Sequence, residues 1–190
     1  MDGRETKTER LLARTTLAEA LDGTAKQQFR VLVGGLGLGF TLEEVLDHPY
    51  LSSVVLAEIE PALVRWHRDG LVPASRIDDE KVLVHIGDIR DVVTASSEGD
   101  FDVVLLDVDN GPGFLVYDAN AAVYQVPFLS DCRRVLRAGG VLAIWSADAS
   151  EPLGAALTEV FGVCRQESVS VHLGRRETEY HVFLARRPAR

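Results

Sequence analysis

The hydrophobic and polar positions of the chain fall into two alternating patterns. "FRVLVGG", from residue 29, is a short valine-rich apolar run ending at glycine and reads as a buried strand. "TLEEVLDHP" follows at helical period, with Thr41 expected as the cap, Glu44 completing a capping box and Pro49 ending the helix. "SSVVLAEIE" predicts a second strand, and "PALVRWHRDG" a helix with Pro61 in its first turn and Gly70 at its end. "KVLVHIGD" and "FDVVLLDVD" predict strands three and four, each a nearly continuous apolar run suited to a parallel sheet covered on both faces.

Between residues 122 and 138, Phe128, Leu129, Cys132, Val135 and Leu136 recur at helical spacing, opposite Arg133, Arg134 and Arg137. That helix is expected to stop at "AGG", with "VLAIWSA" as strand five and "EPLGAALTEVF" as the next helix. The tail changes character. "VCRQESVSVHL" and "TEYHVFLARR" are extended runs joined by only "GRRE", so they must pair antiparallel, whereas strands alternating with helices are parallel through right-handed crossovers. The expectation is an α/β fold with a mostly parallel sheet, a C-terminal antiparallel hairpin and helices on both faces. Residues 1–25 are expected to form a polar, helical extension, and 26–190 a single α/β domain.

Composition narrows the function. The 190 residues are 46% hydrophobic and 26% charged, with a net charge of -9 and no run long and apolar enough for a membrane span or a signal peptide. A cytoplasmic protein without a nucleic-acid or membrane partner is expected, because its field repels polyphosphate and favours a cationic small molecule such as an amine. The two cysteines and five histidines show no ligand spacing, so no metal site is expected.

The candidate chemistry starts in "VLVGGLGLGF", residues 31–40. No Gly-Lys pair exists for a phosphate loop, and GxGxxG fails at Phe40 and Leu42. Gly35, Gly37 and Gly39 do form GxGxG, which brings bare backbone, with Leu36 between the first two glycines, against a nucleoside and its sulfur chain; tight packing alone is the other reading. Glu58, followed by Ile59, ends the second strand where a carboxylate can accept both ribose hydroxyls, or simply be solvated. Asp88 ends the third strand, where it can accept from an adenine amino group while Ile89 packs on the ring, or merely cap the next helix. At the end of the fourth, Asp107 is the candidate to orient and deprotonate a nucleophile, with Asp109 and Asn110 holding the acceptor; an Asx-type turn is the alternative for "DVDNGP". "GFLVYDANAAVY" would be a lid offering Tyr117 and Tyr124.

Taken together, "VLVGGLGLGFTLEEVLDHP", "VVLAEIEP", "VHIGDIRD", "FDVVLLDVDNGP" and "LRAGGVLAIWS" resemble the spermidine synthase-like branch of the S-adenosylmethionine-dependent methyltransferase superfamily, with its Rossmann-like fold. The resemblance covers about residues 30–148. It implies a seven-stranded sheet whose last strand is antiparallel, and a site for S-adenosylmethionine or its decarboxylated form. Gly35, Gly37, Glu58, Asp88 and Asp107 match the family's nucleoside-binding and catalytic positions. Aminopropyltransferases of this branch carry a GGGDG loop and a DxxDP segment. Here the loop reads Gly34, Gly35, Leu36, Gly37, Leu38, and Asp107 is followed by Val108, Asp109, Asn110, Gly111 and Pro112. Methyl transfer from S-adenosylmethionine to an amine is therefore the leading expectation. Aminopropyl transfer from the decarboxylated form is the alternative, and a catalytically silent nucleoside-binding or oligomeric regulator the third; a homodimer is compatible with all three.

Overall fold

The computed structural model describes residues 7–21, 28–72, 75–173 and 176–189. Helix α1 (Lys7–Leu21) is followed by β1 (Phe29–Gly34), α2 (Phe40–Leu46), β2 (Leu51–Glu58), α3 (Pro61–Arg68), β3 (Val82–Ile86), α4 (Ile89–Ala95) and β4 (Phe101–Leu106). A 3-10 segment (Asp118–Tyr124) then leads into α5 (Val126–Val135), β5 (Leu136–Ser146), α6 (Glu151–Phe161), β6 (Arg165–Leu173) and β7 (Arg176–Arg186). The strands form one seven-stranded sheet in the order β3-β2-β1-β4-β5-β7-β6. The first five pair in parallel, and β7 runs antiparallel to both β5 and β6. The expected sheet, with its C-terminal antiparallel hairpin, is what the chain forms.

Strand alternation distributes the core over both faces. Val31, Val33, Val103, Leu105, Val141 and Ala143 point to the side where α1, α2 and α3 contribute Leu12, Leu42 and Val64. Leu32, Val104, Leu106, Leu142 and Ile144 point to the other, where α4, α5 and α6 contribute Val93, Leu129 and Leu157. Apolar residues on both faces explain why β1, β4 and β5 read as continuous apolar runs, but the cover expected on both faces of β3 does not form: it is an edge strand with Leu83 and Ile86 exposed. The described part of the expected N-terminal extension, α1, buries Leu12, Ala13, Leu17 and Ala20 in the same core as β1. Its outer face carries Arg10, which pairs with Glu43 and Glu44, and Arg14, whose Nε donates to Glu44 at 2.6 Å.

Two local expectations are corrected. Helix α2 is capped by Gly39 in the left-handed region (φ 87) without a side-chain cap; Thr41 already lies inside the helix, and Glu44 is engaged by α1, so the capping box does not form. The "AGG" segment does not separate helix from strand either: β5 begins at Leu136, and the glycines sit within it where the pairing register jumps from Phe101↔Leu136 to Val103↔Val141.

Candidate active site

The parallel strands β1, β2, β3 and β4 end on the same side of the sheet, and β1 lies between β2 and β4. The chain leaves β1 towards β2 and β4 towards β5, so strand order diverges there, which is where open α/β sheets form their crevice. A cavity of about 340 Å³ opens at this point. Gly35 and Gly37, Glu58 and Ile59, Asp88 and Ile89, and Asp107, Asp109 and Asn110 all line it. The residues singled out at four separate strand ends are thus brought to one pocket, with two exceptions. Leu36 is buried in the core, and Gly39 caps α2; neither lines the cavity.

The glycines of the loop divide by role. A Cβ on Gly34 would come within 2.3 Å of Ile89 Cδ1, and one on Gly35 (φ +92) within 2.1 Å of the Asp107 carbonyl oxygen, so both are required by the protein's own packing. Gly37 (φ +50) differs: a Cβ there would meet nothing within 4 Å, and the space it would enter borders the cavity. Tight packing thus accounts for Gly34 and Gly35 and does not account for Gly37.

Glu58, 6% exposed, accepts from Leu36 N and from Glu60 N at 2.8 Å each, fastening the glycine loop to the end of β2. Each of its oxygens keeps a further lone pair for a ligand hydroxyl. Asp88 caps α4 by accepting from Arg90 N at 2.8 Å, and its other oxygen takes the Arg90 Nε at 2.9 Å. The hydrogen bond from the Arg90 side chain is the main cause holding the Asp88 carboxyl below its ordinary range, against the opposing effect of burial. Asp88 is thus a helix cap and a cavity-lining residue together.

The acidic loop after β4 is fixed at several points. Thr41 Oγ1 donates to Asp107 Oδ2 at 2.7 Å. Asp109 sits in the left-handed region (φ 55), which a short polar side chain tolerates, and its Oδ1 accepts from Val116 N at 3.1 Å and Asn120 Nδ2 at 3.0 Å. Ala147 N donates to the Asn110 carbonyl at 3.0 Å, and a Cβ on Gly111 would strike Ser146 Oγ at 2.2 Å, so the loop lies hard against the end of β5. The second oxygen, Asp109 Oδ2, is buried with no hydrogen-bond partner among the described residues.

The lid expectation splits. Tyr117 lines the cavity and is 47% exposed. Tyr124 is 6% exposed and donates its hydroxyl to the Val108 carbonyl at 2.7 Å, with burial and then the nearby carboxylates pushing its phenol up, so it is a packed neutral donor rather than an acceptor contact. Thr41 and Asn120 build the site through bonds to Asp107 and Asp109 that no local sequence pattern signals. Among the described residues no cluster of metal-ligating side chains occurs, and no helix is long and apolar enough to cross a membrane.

The sheet order, the glycine loop and the acidic strand ends define the Rossmann-like fold of S-adenosylmethionine-dependent methyltransferases. Within that class, residues 14–153 match the spermine/spermidine synthase domain, and the chain belongs to this family. It is 32% identical over 146 residues to the polyamine aminopropyltransferase of Nitrosomonas europaea, an alignment covering 72% of this chain and 42% of the relative. It is 28% identical over 123 residues to putrescine N-methyltransferase 4 of Nicotiana tabacum, covering 63% and 30%. The spermidine synthase structure from Thermotoga maritima superposes with a TM-score of 0.80 at 20% identity, over 98% of this chain and 61% of that one. The chain thus spans less than half the length of these two curated relatives.

Proposed function

We propose that this chain transfers an aminopropyl group from decarboxylated S-adenosylmethionine to an amine of the polyamine class. The observation carrying the reading is the pair of carboxylate residues after β4: Asp107 and Asp109 line the same cavity as Gly37, Glu58 and Asp88, where a cationic amine would meet negative charge. Family membership and the similarity to a polyamine aminopropyltransferase support it. Aminopropyl transfer thereby takes precedence over the methyl transfer favoured by the loop sequence alone.

In this reading Glu58 accepts the ribose hydroxyls, Asp88 the adenine amino group, Ile59 and Ile89 pack on the apolar parts, and bare Gly37 admits the sulfur-bearing chain. The bound sulfonium supplies a carbon activated for in-line displacement. The protein contributes alignment and proton handling. Asp109 and Asn110 hold the acceptor, and Asp107, steadied through one oxygen by Thr41, takes the proton the amine loses as its nitrogen–carbon bond forms.

Methyl transfer is the second reading. It is favoured by one specific feature, a glycine loop with no carboxylate to receive the donor's own ammonium, and by the resemblance to putrescine N-methyltransferases. Calorimetry with S-adenosylmethionine, its decarboxylated form and methylthioadenosine tests both. Tighter binding of the decarboxylated form than of the intact one supports the proposal, and the reverse order favours methyl transfer. Absence of binding by all three removes the adenosyl reading.

A further inference from the structure

We propose that His67 is a positioning residue for the adenosyl ligand, holding the bare part of the glycine loop in its binding conformation; this rests on the adenosyl-site reading above. His67 comes from α3, is 2% exposed, and places Nε2 2.9 Å from the Gly37 carbonyl oxygen. A carbonyl only accepts, so Nε2 carries the proton in this contact. Nδ1 is buried with no partner among the described residues, and a proton there would have no acceptor. The geometry therefore assigns the donor role to Nε2. A leucine in its place would pack without leaving a buried nitrogen unmet, so the bond to Gly37 is what the histidine adds.

Gly37 has no side chain to pack and adopts φ +50, and the turn across it is closed by one backbone bond, Gly39 N to Leu36 O at 2.8 Å, so the bond from His67 adds a hold on its carbonyl that the turn does not supply. Two side chains hold the loop from below: Glu58 accepts from Leu36 N at 2.8 Å, and His67 donates to Gly37 O. The peptide is planar and trans, so fixing the Gly37 carbonyl also fixes the direction of the following Leu38 N–H. The backbone bordering the cavity is thus ordered before a ligand arrives, and the entropy of ordering it does not weaken binding.

The test uses the full chain and methylthioadenosine. In His67→Gln the amide nitrogen lies near the position of Nε2 and can still donate to Gly37 O, whereas in His67→Asn the amide falls short and in His67→Leu no donor remains. Calorimetry should find His67→Gln within about threefold of the wild-type Kd and His67→Asn and His67→Leu weakened about tenfold or more, as expected for losing preorganisation and one hydrogen bond. Nitrogen-resolved NMR of the wild-type imidazole should show Nε2 protonated and Nδ1 bare. Equal affinities for the glutamine and asparagine variants, losses that follow melting temperature alone, or a ring protonated at Nδ1 would overturn the proposal. A wild-type chain that fails to bind methylthioadenosine overturns the adenosyl reading itself; a binding wild type with equally binding variants overturns only the role of His67.

Discussion

Thr41 Oγ1 donates to Asp107 Oδ2 at 2.7 Å, tying the first turn of α2 to the end of β4. Thr41 lies four residues beyond Gly37, so the segment that borders the ligand cavity also steadies the carboxylate proposed to accept the amine proton. Nucleoside binding and proton handling are thereby built on one short stretch of chain. Asp107→Asn should lower turnover by about 100-fold or more while leaving Kd for methylthioadenosine within a few-fold, as for loss of a general base. Thr41→Val should reduce turnover by about tenfold, the worth of one hydrogen bond to a charged group, with Thr41→Ser retaining most of it. Steady-state kinetics beside calorimetry separates these effects.

Glu58 bears both on the loop and on the ligand. Glu58→Ala removes the acceptor for Leu36 N and Glu60 N together with that proposed for the ribose, so the affinity for methylthioadenosine should fall by about 1.5–3 kcal/mol. Unchanged affinity in a folded variant would return Glu58 to a purely structural role.

The division of labour among the glycines gives opposite outcomes for neighbouring substitutions. Gly35→Ala places a Cβ 2.1 Å from a backbone carbonyl at φ +92 and should destabilise the fold by about 2 kcal/mol or more. The Cβ of Gly37→Val would meet nothing within 4 Å, so the variant should retain most of the fold, less about 1–2 kcal/mol for the left-handed backbone, while abolishing nucleoside binding. Melting curves and calorimetry on the two variants check this; equal loss of stability, or normal binding by Gly37→Val, contradicts it.

The architecture was legible in the sequence because burial on both faces leaves an unmistakable mark on "VLVGG", "VVLLD" and "VLAIW". The strand-end acids were legible for a related reason: Glu58, Asp88 and Asp107 each interrupt an apolar run at the same point of the repeat. What was not legible depends on contacts between distant segments. Thr41 looked like a cap because capping is local, whereas its partner Asp107 lies 66 residues away. The same holds for His67, whose partner Gly37 is 30 residues earlier, and for the "AGG" glycines, whose place within β5 is set by pairing with β4.

Acid should weaken one identifiable contact. Asp88 has its carboxyl held below the ordinary range chiefly by the Arg90 side chain, so the stability it adds is present above the unfolded carboxylate pKa and is lost as pH falls through the folded one. Asp88→Asn keeps a competent helix cap and removes the charge. The wild type should therefore be the more stable at neutral pH, and the difference should shrink as pH drops below the ordinary aspartate range. A stability difference independent of pH would contradict the assignment.

The central claim is tested most directly by mass spectrometry of the products formed when the full chain is given decarboxylated S-adenosylmethionine and putrescine, with S-adenosylmethionine and putrescine in parallel. The account predicts, in the first mixture, an amine lengthened by one aminopropyl unit together with an equal amount of methylthioadenosine, both suppressed in Asp107→Asn. A methylated amine in the second mixture with no lengthened amine in the first, or no product in either, would contradict it.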